Sequence, residues 1–355
     1  RFLLSLICCH PFEDNSLNYP VVTVSNRGST ILSLMMFALS GSVFAAPPDY
    51  KLIDTIKIGG AARWDYIYMD SGAQRLYVTH GTQTEVIDTG TDKVIGTIAD
   101  TQGVHGVAIA TDLGVGFTSN GATDTVAVFD LKTLKVTRSI KVGNKPDAIL
   151  YLPATHKVVT YNGQSKDVSV IDARTMKVVA TVKVPGVPEF SAAGADGNVY
   201  FNLEDTGQIA SINMTSYKLK KPVSLKPCEE PTGLAIDDKQ RLYSVCANNV
   251  MMVTSTGGKV LGQVPIGSGP DGVAVMDGYA FSANGRDGTV TVVGEVDGKF
   301  QPVATIPTQV GARTIAVDPA AHRIYLPTAD YGPANGEERP PGIADTFRVL
   351  VLQKQ

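Results

Sequence analysis

Charge is scarce in this chain: Asp, Glu, Lys and Arg together make up 18% of 355 residues, and the formal net charge is −3. With no large positive field to condense on a phosphate backbone or an anionic membrane, nucleic-acid binding is disfavoured. Long apolar runs are missing too. The stretch Ile31–Leu39 falls well short of the ~20 residues that cross a bilayer as a helix, so no transmembrane segment is expected in the mature chain. Cysteine occurs four times. Cys8-Cys9-His10 lacks the spacing that attaches a c-type haem, and Cys228 and Cys246 alone cannot build a structural zinc site. No Gly-x-Ser-x-Gly elbow, Walker loop or His-Glu-x-x-His string is present, which leaves the familiar hydrolase, nucleotide and zinc-protease chemistries unsupported.

What is present near the start reads as an export signal. Arg27 precedes the apolar run, and Val43 and Ala45 are small residues at the −3 and −1 positions of a cleavage site, so residues 30–45 are expected to be a signal peptide cut near Ala45/Ala46. The destination is the periplasm or the exterior. Residues 1–29 show no periodic pattern and are expected to be an upstream segment outside the fold, with residues 46–355 forming one domain. Cys228 and Cys246 then remain as an even pair in an oxidising compartment, which predicts a disulfide.

Glycine (35 residues) and proline (20) punctuate short Val-, Ile- and Thr-rich runs, the composition of strands joined by tight turns. The runs repeat about every 42 residues. At equivalent positions stand Arg63-Trp64-Asp65, Val104-His105-Gly106, Pro146-Asp147-Ala148, Pro188-Glu189-Phe190, Pro231-Thr232-Gly233, Pro270-Asp271-Gly272 and Ala312-Arg313-Thr314. Each triplet leads into an apolar strand a, then strand b, an alternating strand c, a turn of the type Asp130–Lys135, and an outer strand d. Four strands per repeat and seven repeats predict an all-β, seven-bladed β-propeller of four-stranded antiparallel blades. The seventh repeat stops after strand c, and Leu52–Ile58 matches the outer-strand pattern of Val136–Val142. An N-terminal strand is therefore expected to complete the last blade and close the ring.

The strand-b ending Leu76-Tyr77-Val78-Thr79-His80, echoed by Phe117-Thr118-Ser119-Asn120 and Val159-Thr160-Tyr161-Asn162, resembles the signature of the YVTN-repeat family of bacterial, exported β-propellers. The resemblance covers residues from about 48 to 355 and implies a binding or interaction role. A single tryptophan, Trp64, rules out a Trp-Asp repeat ending and the tryptophan-docking set of quinoprotein dehydrogenases.

Candidate site residues follow from blade geometry, because the d–a and b–c loops open on one face around the channel. The middle triplet positions, Trp64, His105, Asp147, Glu189, Thr232, Asp271 and Arg313, include three carboxylates that packing does not require. Flanking Arg63 and Asp65 belong with them, and Arg63, Arg286 and Arg313 can clamp an anion. Pro-Asp-Gly-like turn chemistry alone also accounts for such triplets. A second ring is expected at the strand-b ends: His80, Asn120, Asn162, Asn202, Asn248 and Asn284, with Glu204 beside it. The glycines that follow several of them, Gly81, Gly121, Gly163 and Gly285, signal a tight turn of positive φ. The long b–c loop of the last blade, with Tyr331, Glu337, Glu338 and Arg339, is expected to overhang this face. Cys228 and Cys246 fall at one end of an antiparallel pair, as an intrablade disulfide requires.

The leading functional expectation is a monomeric periplasmic propeller that binds a small molecule or a protein at the channel mouth. No cofactor is expected. The alternative is a lactonase- or lyase-like enzyme using His80, His105 and nearby carboxylates, with a divalent metal as the one inorganic possibility.

Overall fold

The computed structural model describes residues 48–333 and 340–355. The expected signal peptide and upstream segment lie outside these residues, as do Glu337, Glu338 and Arg339 of the blade 7 loop. Seven antiparallel sheets follow one another along the chain. Blade 1 begins at Ile67, blade 2 at Val104, blade 3 at Pro146, blade 4 at Pro188, blade 5 at Pro231, blade 6 at Pro270 and blade 7 at Ala316. The last blade holds Ala316–Asp318, Arg323–Thr328 and Arg348–Lys354, and its outer strand is Tyr50–Lys57 from the other end of the domain. Tyr50 pairs with Lys354 and Lys57 with Arg348, so the ring closes as the repeat count requires.

Local chemistry fixes the turns. At the c–d turns Asp88, Asp130 and Asp172 accept backbone N–H bonds from two or three residues downstream, and Asn213 does the same with its side-chain oxygen. This Asx geometry ends strand c and reverses the chain. Blade 4 departs from the pattern: its outer strand breaks into Lys218–Leu219 and Val223–Ser224. Pro222 sits between them and has no N–H to give the ladder.

The core lies between blades, since neither face of a blade can be covered by its own residues. Phe117, Val126 and Val128 of blade 2 pack on Val158 and Ile171 of blade 3. At the closing seam Leu76 and Val78 of blade 1 meet Tyr325, Val349 and Val351 of blade 7, with Trp64 and Phe347 stacked above them at 5.2 Å.

Candidate functional site

Pairing register defines the inner ring. Val107 pairs with Thr118, two residues before Asn120, and Ile67 pairs with Val78, two residues before His80. Ile67 is therefore the counterpart of Val107, which makes Asp65 the counterpart of His105. The expected alignment of Trp64 with His105 is one residue out. The seven inner positions are Asp65, His105, Asp147, Glu189, Thr232, Asp271 and Arg313, with four carboxylates among them. The remaining triplets align as expected.

Backbone carbonyls at these positions link neighbouring blades. The Tyr66 N–H donates to His105 O at 3.1 Å, and Gly272 N–H donates to Arg313 O at 2.8 Å. Hydroxyls make the same link elsewhere: Thr314 donates to Asp65 O at 2.8 Å, Thr232 to Asp271 O at 3.1 Å, and Ser119 to Asp147 O. Strands a can approach this closely because the next position is glycine in three blades. A Cβ on Gly272 would come within 3.0 Å of Thr314 Cα and 3.1 Å of Ile315 N.

Two of those next positions are aromatic. Tyr66 and Phe190, from blades 1 and 4, meet edge to face with centroids 4.8 Å apart, and the Tyr66 hydroxyl donates to Glu189 Oε2 at 3.3 Å. Blades 1 and 4 are not neighbours, so this contact spans the channel. Tyr66 was not expected as a site residue. Its signal was available only through the register, since it occupies the place that Gly106, Gly233 and Gly272 hold in other blades.

The Tyr66–Phe190 contact is surrounded by acid. Burial first, then the charges of Asp147 and Glu204, push the Glu189 carboxyl up to about 9. Burial pushes Asp147 up to about 6, against the pull of His105. Burial, Glu230 and Asp147 also raise Glu204. Tyr66 is held well above the usual phenol value by burial and by Asp147 and Glu189.

His105 Nδ1 lies 2.5 Å from Asp65 Oδ2 and 3.6 Å from Asp147 Oδ1. Burial opposes a charge on this ring, but the hydrogen bond to Asp65 and the two carboxylate charges outweigh it and raise the imidazole above its ordinary value. On the opposite flank Arg313 Nε donates to Asp271 Oδ2 at 2.9 Å and its guanidinium lies 5.2 Å from the Trp64 ring centre.

His80 does not join this group. Its Nε2 lies 2.6 Å from Ala61 O and its Nδ1 3.3 Å from Glu85 Oε1, with Phe347 packed on the ring at 4.6 Å. Both nitrogens are engaged inside the blade 1–7 seam, so the two imidazoles expected to act together are not brought to one place.

The asparagine ring also resolves differently from its expectation. Asn120, Asn162 and Asn284 end strand b opposite Val104, Pro146 and Pro270, but their side chains are buried and bond within their own blades. Asn162, for example, donates to Asp167 and Ser169 at 2.8 and 2.9 Å. The equivalent places in blades 4 and 5 belong to Leu203 and Cys246, not to Asn202 and Asn248. Of the following glycines only Gly81 has positive φ, at 67°. At Gly121 the requirement is space, because a Cβ there would meet His105 Nε2 at 2.7 Å. Cys246 is bonded to Cys228, the expected disulfide, with Cα atoms 5.4 Å apart.

Above the ring, at the junction of blades 7, 1 and 2, lies a cavity of about 320 Å³. Arg63, Trp64, Asp65, His105, Arg313 and Tyr331 line it, and Pro340 and Gly342 of the blade 7 loop complete its wall. Arg63 is exposed and makes no ion pair among the described residues. Gly267, Gly269 and Gly272 have the spacing of a phosphate loop, yet they run into strand Pro270–Met276 rather than a helix, so no helix N-terminus faces an anion there.

No sequence-family profile matches the chain, and no curated protein resembles it in sequence. Solved structures do. Hydrazine synthase of Kuenenia stuttgartiensis superposes with a TM-score of 0.65 at 18% identity, over 77% of this chain and 94% of that one. The structure of U3-55K gives 0.72 at 8% identity, over 84% and 98% of the two chains. The WD40 repeats of RRP9 give 0.73 at 8% identity, over 87% and 99%. These likenesses bear on the fold alone. They confirm a β-propeller in a chain that has one tryptophan.

Proposed function

We propose that this protein is an exported, monomeric binding propeller that takes a small molecule bearing a carboxylate or phosphate group at the channel mouth. The observation that carries the reading is the cavity of about 320 Å³, which lies at the lower end of the roughly 300–1,000 Å³ that suits small ligands rather than a protein surface. Its rim supplies Arg63, exposed and without an ion pair among the described residues, for an anionic group, and its wall supplies the Trp64 and Tyr331 rings for a flat apolar part. Tyr66 and Phe190 meet across the channel, which narrows the path of a ligand entering from this face.

Export is supported by the Cys228–Cys246 disulfide, which an oxidising compartment maintains. Among the described residues no helix is long and apolar enough to cross a membrane. The strand-b endings at His80, Asn120 and Asn162 support a YVTN-like repeat as the origin of the blades.

The test is a thermal-shift panel of small carboxylates and phosphate esters on the wild-type protein and on Arg63→Ala. At least one compound is expected to raise Tm in the wild type and to lose most of that effect in the variant. A panel that stabilises neither protein, or stabilises both equally, contradicts the proposal.

A further inference from the structure

Below the cavity, three consecutive inner positions offer one ligand atom each. His105 Nδ1, Asp65 Oδ2 and Asp147 Oδ1 come from three adjacent blades, and the ligating atoms of this group lie within 4.8 Å of one another. The geometry points to a divalent transition-metal site, zinc in the first place, held by Asp65, His105 and Asp147.

A second observation is independent of the clustering. Among the described residues Asp147 Oδ1 is buried without a hydrogen-bond partner, and the whole residue is only 9% exposed. A carboxylate oxygen stripped of water and left without a hydrogen-bond donor is costly. Here that oxygen is the one directed at His105. A cation seated between them supplies what it lacks.

The donor set matches the ion. Imidazole nitrogen and carboxylate oxygen are both ligand types that zinc accepts, and about 2.0–2.2 Å from metal to ligand sets donor atoms roughly 3.2–3.6 Å apart. His105 and Asp147 already stand at 3.6 Å. Asp65 and His105, at 2.5 Å, share a proton that the ion displaces, and they must separate by roughly 1 Å. Binding therefore releases that proton to solvent, and the imidazole ligates as the neutral base.

The surroundings favour a cation. Besides the two ligand carboxylates, Glu204 and Asp271 lie within electrostatic reach of the same buried cluster, with Lys145 as an opposing charge. Asp65 and His105 also line the cavity above, so the ion is reached from the mouth. The inference stands whether or not that mouth takes an anionic molecule.

Cobalt(II) is the probe: chelator-stripped protein is titrated with Co²⁺ while visible d–d absorption and Trp64 emission are followed, and Zn²⁺ is then added in competition. One equivalent is expected, displaced by Zn²⁺, with binding at least tenfold weaker in Asp147→Asn and in His105→Gln. His156→Gln and His322→Gln, which alter the surface pairs with Asp112 and Asp277, are expected to leave binding unchanged. Affinity of the unmodified protein is expected to fall as pH falls, a readout that needs no variant to fold. Absence of saturable binding, or the same affinity in folded Asp147→Asn, overturns the site.

Discussion

The Tyr66 hydroxyl reaches across the channel from blade 1 to donate to Glu189 of blade 4 at 3.3 Å. A carboxyl that is harder to ionise when folded holds its proton more tightly in the native chain. Its stabilising contribution is complete below the ordinary glutamate value and is lost as pH rises through about 9. Glu189→Gln stays neutral throughout, so its Tm relative to wild type is expected to rise between about pH 5 and about pH 9. A constant difference across that range would show that Glu189 is not shifted.

His105 is displaced in the same direction for a different reason, with Asp65 and Asp147 favouring the imidazolium more than burial opposes it. In metal-free protein its contribution is present below the ordinary histidine value and lost as pH rises through the folded value. An NMR titration of the imidazole is expected to give a midpoint above about 6.5, and Asp65→Asn is expected to lower it. A midpoint below the free-histidine value contradicts the assignment.

Cys246 stands where three other blades place asparagine, and its bond to Cys228 holds the approach to blade 5. Replacing both by serine removes this bond. Urea unfolding is expected to show a loss of about 2–4 kcal/mol. Adding reductant to the double variant is expected to change nothing further.

Gly272 is a strict position beside the inner ring, because any Cβ meets backbone of blade 7 rather than a movable side chain. Gly272→Ala is expected to cost about 1–3 kcal/mol, read by chemical denaturation. Gly106 offers a contrast: its closest neighbours include the Ile149 and Ser119 side chains, which can yield, so Gly106→Ala is expected to cost less.

Blade number, ring closure and the disulfide were legible in the sequence because each rests on local, repeated chemistry. Asx residues at Asp88, Asp130 and Asp172 mark the c–d turns, and the outer-strand pattern appears at Leu52–Ile58 where the last blade lacks it. Most inner-ring residues were found for the same reason. The one-residue error at Trp64 arose where Arg63-Trp64-Asp65 has neither the proline nor the glycine that anchors five of the other six triplets. Only the pairing of Ile67 with Val78 fixes that register. The separation of His80 from His105 was not legible either, because Ala61 and Phe347, which hold His80, reach it through closure of the ring. Glu189 and Tyr66 meet only in three dimensions, across a channel whose width no local pattern states.

Trp64 is the single tryptophan of the chain and forms part of the cavity wall. Its emission therefore reports occupancy of the proposed site without a label. The most direct measurement is a fluorescence titration with whichever carboxylate or phosphate ester most raises Tm. A saturable change in Trp64 emission, absent in Arg63→Ala, is expected. A compound that stabilises the protein while leaving that emission unchanged binds elsewhere, and would contradict a ligand site at the channel mouth.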